Sequence, residues 1–388
     1  MNYIFRKFNS SGVTAEISIA GSQDTVREFQ IMMHVTQQDI SFNQQLIFIC
    51  AAIKELLADT VLQNAVIVSA RCFLSDAANQ QEQTSNQITS PGLLDCPISY
   101  VKQPPLDGSK LALWLQLLTG VHVGNDGLNF CEHNGYRHYH SVDDCSKKNK
   151  LKENAYQQTL ELLEGYEEQL KALGCSIERD CIRTWFFVRD VDMNYQGLVE
   201  ARKENFLQNG LSNETHYIAS TGIEGSTDNP HVKVLMETYA IRGLDEGQLQ
   251  FLYAKDNLSP TYEYGVTFER GVCLNFGDRR KVYISGTASI DCKGMIMYPE
   301  DIEGQVHRMW ENVEALLKEA ECTFNDLMQM IVYLRDMADY KPVKKMYDEK
   351  FPGVPQIIVL ASICRPGWLI EMECIASKIV SNSNYRDL

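Results

Sequence analysis

The chain has 388 residues, 44% of them hydrophobic and 22% charged, and carries a net charge of −15 at pH 7. That length admits two or three domains of ordinary size. The acidic balance excludes nucleic acid as the expected partner, because phosphate binding relies on basic patches, but it leaves room for a small anionic substrate in a local basic pocket.

Met1-Asn-Tyr-Ile-Phe-Arg-Lys-Phe8 holds no apolar core of signal-peptide length. Residues 42–57 read as a helix; its apolar part is too short, and too charged at Lys54 and Glu55, to span a bilayer. No membrane partner is expected. The twelve scattered cysteines fit free thiols in a reducing cytoplasm. Arg71-Cys-Phe-Leu-Ser-Asp76 follows the helix, and residues 75–95, rich in Gln, Asn, Ser and Thr, read as a connector containing a loop. Gln103-Pro-Pro-Leu-Asp-Gly108 lies in a proline-fixed extended piece that leads into a closing strand at 110–115.

In the middle of the chain, Cys131-Glu-His133-Asn-Gly-Tyr-Arg-His138-Tyr-His140-Ser-Val-Asp-Asp-Cys145 is the cluster to weigh for a metal. Its spacing matches no standard zinc pattern, so it is read as a pleated strand with His138 and His140 on one face, and no metal is expected. Lys147-Lys148-Asn-Lys150 reads as a solvated charge run opening a helix. Residues 156–173 form an amphipathic helix, followed by Arg183-Thr-Trp-Phe-Phe-Val-Arg-Asp190 and a closing strand at 232–240 that carries Glu237. Asp190 and Asp336 recur at matching places, which points to capping of the helices that follow.

The last hundred residues repeat the pattern more fully: a strand over 281–290, a helix over 302–320, a strand over 327–334, a helix over 340–351, then two apolar runs around Arg365-Pro-Gly367. Those runs read as strand, tight turn, strand. Glu371 and Glu373 alternate with Ile370, Met372 and Cys374, so the two carboxylates share a face. On pattern alone this is an edge strand with solvated glutamates, and Cys364 could approach Glu371 across the turn. The recurring helix-to-aspartate spacing divides the chain into three versions of one unit, over 1–125, 126–250 and 251–388, with 243–264 as the last connector.

The C-terminal unit resembles the RidA/YjgF/UK114 family in its Ser285-Gly286 turn, its Tyr333-Leu-Arg-Asp336 element and its Glu371-Met-Glu-Cys-Ile-Ala376 ending. The resemblance implies an α+β, chorismate-mutase-like fold, here as three fused copies forming a pseudo-trimer that acts as a monomer. More of the chain resembles the chorismatase family: Gln103–Gly108, Arg183-Thr-Trp, Ser220-Thr-Gly-Ile223, Phe268-Glu-Arg-Gly271, Ser285-Gly-Thr-Ala-Ser-Ile290, and the interval from Cys364-Arg365 to Glu371. That resemblance implies cleavage of chorismate or a related enol-ether acid to pyruvate and a ring acid, without a cofactor. Glu371 would be the acid/base residue, Cys364 the thiol that influences the product, and Gly286, Thr287, Ala288 and Glu373 would lie at the substrate. Arginines hold the substrate carboxylates in that family. Here Tyr264-Gly-Val-Thr-Phe-Glu269 lacks one of them and the helix of the middle unit keeps Arg202. Arg202, Arg270 and Arg365 are the candidate replacements, each equally readable as a surface residue. The alternatives are the enamine/imine deaminase activity of RidA proteins, which needs an arginine missing from 355–361, and a non-catalytic ligand-binding pseudo-trimer.

Overall fold

The computed structural model describes residues 1–8, 12–22, 24–89, 93–146 and 151–388. Among these, three six-stranded mixed sheets follow one another along the chain. The first contains β1 (Asn2–Phe8), β2 (Val13–Ala20), β3 (Glu28–Val35), β4 (Ala65–Leu74), β5 (Ile98–Lys102) and β6 (Leu111–Thr119), with helices α1 (Phe42–Leu57) and α2 (Ala77–Ile88). The second contains β7 (His122–Asn125), β8 (Asn129–His133), β9 (Tyr136–Asp143), β10 (Cys181–Val188), β11 (Ala219–Glu224) and β12 (Val234–Arg242), with α3 (Ala155–Ala172), the short α4 (Ile177–Asp180) and α5 (Val191–Gln208). The third contains β13 (Leu249–Leu252), β14 (Gly271–Asn275), β15 (Arg279–Ala288), β16 (Leu327–Leu334), β17 (Gln356–Leu360) and β18 (Ile370–Ile379), with α6 (Ile302–Glu319) and α7 (Tyr340–Lys350).

The third sheet runs β13-β14-β15-β18-β16-β17, and the other two share its topology. Three strands form a meander, a helix crosses to a fourth, a second helix leads to a fifth strand parallel to it, and the last strand inserts into the middle. Helix α6 shows why the crossover holds. Asp301 caps it by accepting from Gly304 N, and Val306, Met309, Val313, Leu316 and Leu317 recur at helical spacing and are all buried. Each such side chain contributes about 1.5–3 kcal/mol relative to exposure.

Strand register makes the units comparable residue by residue. Leu74 pairs with Leu111, Val188 with Val234, and Leu334 with Ile370. One residue further along the closing strands stand Ala112, Leu235 and Glu371; three residues along stand Trp114, Glu237 and Glu373. The second set meets where the three units converge. Glu237 accepts from Arg71 Nε and Nη2 at 2.9 and 2.6 Å, and from the hydroxyl of Ser99. Glu373 accepts from Arg71 Nη1 at 3.4 Å, Arg183 Nη2 at 2.9 Å and Trp185 Nε1 at 3.0 Å. Three units around one ion-paired axis make the chain an α+β pseudo-trimer.

Several expectations are corrected. The strand bearing Glu371 and Glu373 is interior, between β15 and β16. No hairpin joins it to β17, which pairs in parallel with β16. The polar stretch over 75–95 is more than a connector: after Asp76 it forms the helix α2, whose buried positions include Gln80 and Thr84 as well as Ala77 and Ile88. The connector over 243–264 contributes β13. Asp336 does cap the turn before α7, accepting from Ala338 N. Asp190 does not cap α5: it sits at φ +49° with no cap bond, and Glu224 accepts from the N–H groups of Asp190 and Val191 instead. The Lys147–Lys150 run lies outside the described residues.

Candidate active site

The second and third units meet along β11 and β15. Ser220 N donates to Ser285 Oγ at 2.9 Å, and Ser285 Oγ donates to Glu269 O at 2.6 Å. The pairing of β15 with β18 is irregular between Ile284 and Thr287, and there Gly286 N turns away to donate to Thr221 Oγ1 at 2.9 Å. Such irregularities re-aim groups beside sites. A Cβ on Gly286 would collide with Glu371 Oε1, so a glycine here is what lets the Glu371 carboxyl lie over the backbone. The C-terminal end of β15 is fixed from behind by Asn312 of α6, which donates to Ala288 O and Ile290 O at 3.1 and 2.9 Å.

A narrow cavity opens at this seam. Gly286, Ala288, Glu371, Cys364, Arg202, Arg270 and Arg365 all line it. Arg202 and Arg270 are buried rather than surface residues, and Arg365 is half-buried. Two of the expected site residues do not line it. Thr287 stands between Gly286 and Ala288, so pleating turns it away, and its hydroxyl donates to Ser285 O. Glu373 points to the axis, where the arginines hold it. Tyr195, Thr221, Tyr264, Phe268 and Trp368, to which sequence reasoning gave no role at the site, also line it. Tyr195 had a usable signal, since it precedes Arg202 by two helical turns on the same face of α5.

Burial is the main force on the Glu371 carboxyl and the Glu373 charge adds to it, together pushing it up to about 8 against the opposing pull of Arg270 and Arg183. Glu371 therefore carries a proton at neutral pH. Burial likewise pushes the Cys364 thiol up to about 12, so it is a neutral wall group, and it holds Tyr195 well above its ordinary value. Desolvation lowers Arg202. Among the described residues none of the three pocket arginines forms an ion pair. Arg202 donates to Thr267 Oγ1 and Ser220 Oγ, Arg270 to Ser259 O, and Arg365 to Tyr264 O. Arg202 Nη2 and Arg270 Nε are buried with no acceptor. A buried cation without a counter-charge is unfavourable.

The other cluster weighed in the sequence lies elsewhere, on β8 and β9. His138 Nδ1 lies 2.8 Å from the Tyr239 hydroxyl, His140 stacks on the Tyr239 ring, and Cys131 and Cys145 pack into separate apolar clusters. Burial pushes His140 down to about 3. Among the described residues no group of His, Cys, Asp and Glu converges as metal ligands would, and no helix is long and apolar enough to cross a membrane.

A family model described as Endoribonuclease L-PSP matches residues 269–378. A RutC family protein of Pyrococcus abyssi is 33% identical over 99 residues, which is 25% of this chain and 78% of that protein. A RutC family protein of Pyrococcus horikoshii is equally similar, covered over 79% of its length. Over the longer span, a crystal structure of a chorismatase superposes with a TM-score of 0.63 at 17% identity, covering 80% of this chain and 93% of that one. Its likeness is one of fold. Through its C-terminal third the chain belongs to the RutC family, and over most of its length it is built as a RidA-like pseudo-trimer on the same fold as a chorismatase.

Proposed function

We propose that this protein cleaves the enol ether of chorismate, or of a related cyclic acid, releasing pyruvate. Glu371 gives its proton to the terminal methylene carbon of the enol ether. Water adds to the resulting oxocarbenium carbon, and the hemiketal collapses to pyruvate and a ring alcohol while a proton returns to Glu371. Arg202, Arg270 and Arg365 receive the substrate carboxylates, and Cys364 lies against the ring and influences which ring product leaves. The step needs water and no cofactor. General acid catalysis of this kind supplies on the order of 10²- to 10⁴-fold.

One observation carries the reading: a buried carboxyl pushed up to about 8 shares a pocket with three arginines that form no ion pair among the described residues. The chorismatase fold supports it. A deaminase has less support, because β17 reads Gln-Ile-Ile-Val-Leu and offers no arginine. We take the chain to act as a cytoplasmic monomer, since each unit already has two neighbours. The test is pyruvate release on mixing the protein with chorismate, with a spectrum of the ring product. Pyruvate formed by the wild type and reduced at least about 100-fold in Glu371→Gln is expected; no pyruvate from folded wild type overturns the reaction.

A further inference from the structure

The mechanism leaves unused a buried acidic side chain close to Glu371. Glu373 lies two residues beyond Glu371 on the same face of β18, yet it does not reach the cavity. Its Oε2 accepts from Arg183 Nη2 and from the hydroxyl of Thr221. That hydroxyl oxygen in turn accepts from Gly286 N, and Gly286 is the residue over which the Glu371 carboxyl rests. A continuous set of contacts thus runs from Glu373 through Thr221 to the floor beneath Glu371.

Charge points the same way. The charged and titratable groups facing Glu371 are Glu373 on its own strand, Arg183 on β10, Tyr333 on β16, Tyr195 and Arg202 on α5, Tyr264 and Arg270 ahead of β14, and Cys364 and Arg365 after β17. Every arginine in that set favours an ionised Glu371. Among the described residues Glu373 is the one anion that opposes them. Its carboxylate is held by ion pairs to Arg71 and Arg183.

The geometry points to Glu373 as the positioning residue of the site: it fixes the seat of the Glu371 carboxyl through Thr221 and Gly286, and its charge adds to burial in opposing the nearby arginines. This rests on Glu371 being the acid of the proposed reaction. The other two closing strands fit the assignment. Unit two keeps a glutamate at the axis (Glu237) but has Leu235 in place of Glu371, so an axial glutamate alone makes no acid site.

The test is an infrared titration of the protonated carboxyl band in the full-length protein, with Glu371→Gln used to assign the band. In Glu373→Gln the Glu371 band should titrate lower by on the order of one pH unit, the size expected for a like charge about 7 Å away in a partly screened interior. The basic limb of the pH–rate profile should move with it. An absent Glu371 band in the wild type, or a band that titrates at the same pH in both proteins, overturns the assignment. Should the unpaired Arg183 unfold the single variant, the comparison is made between Arg183→Gln and Arg183→Gln/Glu373→Gln, where the double variant should again titrate lower and an equal value again overturns the assignment. The band needs no substrate, so its outcome is separate from that of the chorismate assay: absent pyruvate refutes the reaction, and an unmoved band refutes the role of Glu373.

Discussion

Replacing Glu371 with glutamine should make the protein more stable while removing its activity. The Glu371 side chain is 5% exposed, and its carboxyl is pushed from 4.5 to about 8. Between those two values the native state holds a proton that the unfolded chain has released. Stability is therefore greatest below 4.5 and is lost as pH rises towards 8, at about 1.4 kcal/mol per pH unit. The accumulated loss is about 3 kcal/mol at pH 7 and about 5 kcal/mol above pH 8, to order of magnitude. Glutamine has no charge to desolvate and escapes it. For a chain of this length about 3 kcal/mol corresponds to a Tm difference of roughly 4 °C. Thermal unfolding of the two proteins at pH 5, 7 and 9 should show the variant ahead at pH 7, further ahead at pH 9, and close to the wild type at pH 5. A difference that does not change with pH would mean that Glu371 does not hold a displaced proton, and the acid role would fail with it.

Arg270→Met removes an unpaired buried cation and a partner for substrate. A hydrogen bond to a charged group is worth roughly 1.5–3 kcal/mol, so kcat/KM for an anionic substrate should fall about 10- to 100-fold with no loss in Tm. Its basic pH limb should move upward, because Arg270 draws the Glu371 carboxyl down; unchanged kcat/KM would remove Arg270 from the binding site. Cys364→Ala should keep pyruvate release within about tenfold of the wild type, since a thiol pushed up to about 12 is not an ionised nucleophile at neutral pH, while the ratio of ring products changes. Complete loss of pyruvate would assign the thiol a bond-making role.

The threefold organisation was legible because each unit repeats one spacing from helix to strand to aspartate, and Glu371 stood out because a period of two placed it opposite apolar neighbours. What the sequence hid is non-local. The parallel pairing of β17 with β16 joins segments separated by a helix, so Arg365-Pro-Gly367 looked like a hairpin turn between strands that are not neighbours. Arg270 lies six residues past Tyr264, just beyond the Tyr264–Glu269 stretch that lacks the expected arginine, and the 3₁₀ turn at Thr261–Tyr264 precedes it; its guanidinium packs on the Tyr264 ring at 5.3 Å. The resemblance implies Glu373 as a substrate contact, and only the assembled axis shows that the face it shares with Glu371 serves two purposes along its length.

That axis explains why one chain carries three unequal units. A symmetric trimer would bring three copies of one residue to the centre, and three glutamates there would repel. Here Trp114, Glu237 and Glu373 occupy the equivalent positions, and Arg71 serves both glutamates while lying against the Trp114 and Trp185 rings at 5.0 and 5.5 Å. Its side chain is fully buried, so removing it leaves two carboxylates short of a counter-charge in a low-dielectric centre. Arg71→Ala should therefore cost about 3–5 kcal/mol or prevent folding, the usual result of breaking a buried pair by deleting one partner. Arg71→Met combined with Glu237→Gln removes charge from both sides and should recover much of that loss in a denaturant titration. If Arg71→Ala unfolds within about 1 kcal/mol of the wild type, the network does not hold the units together, and the apolar seams between the sheets must carry the assembly on their own.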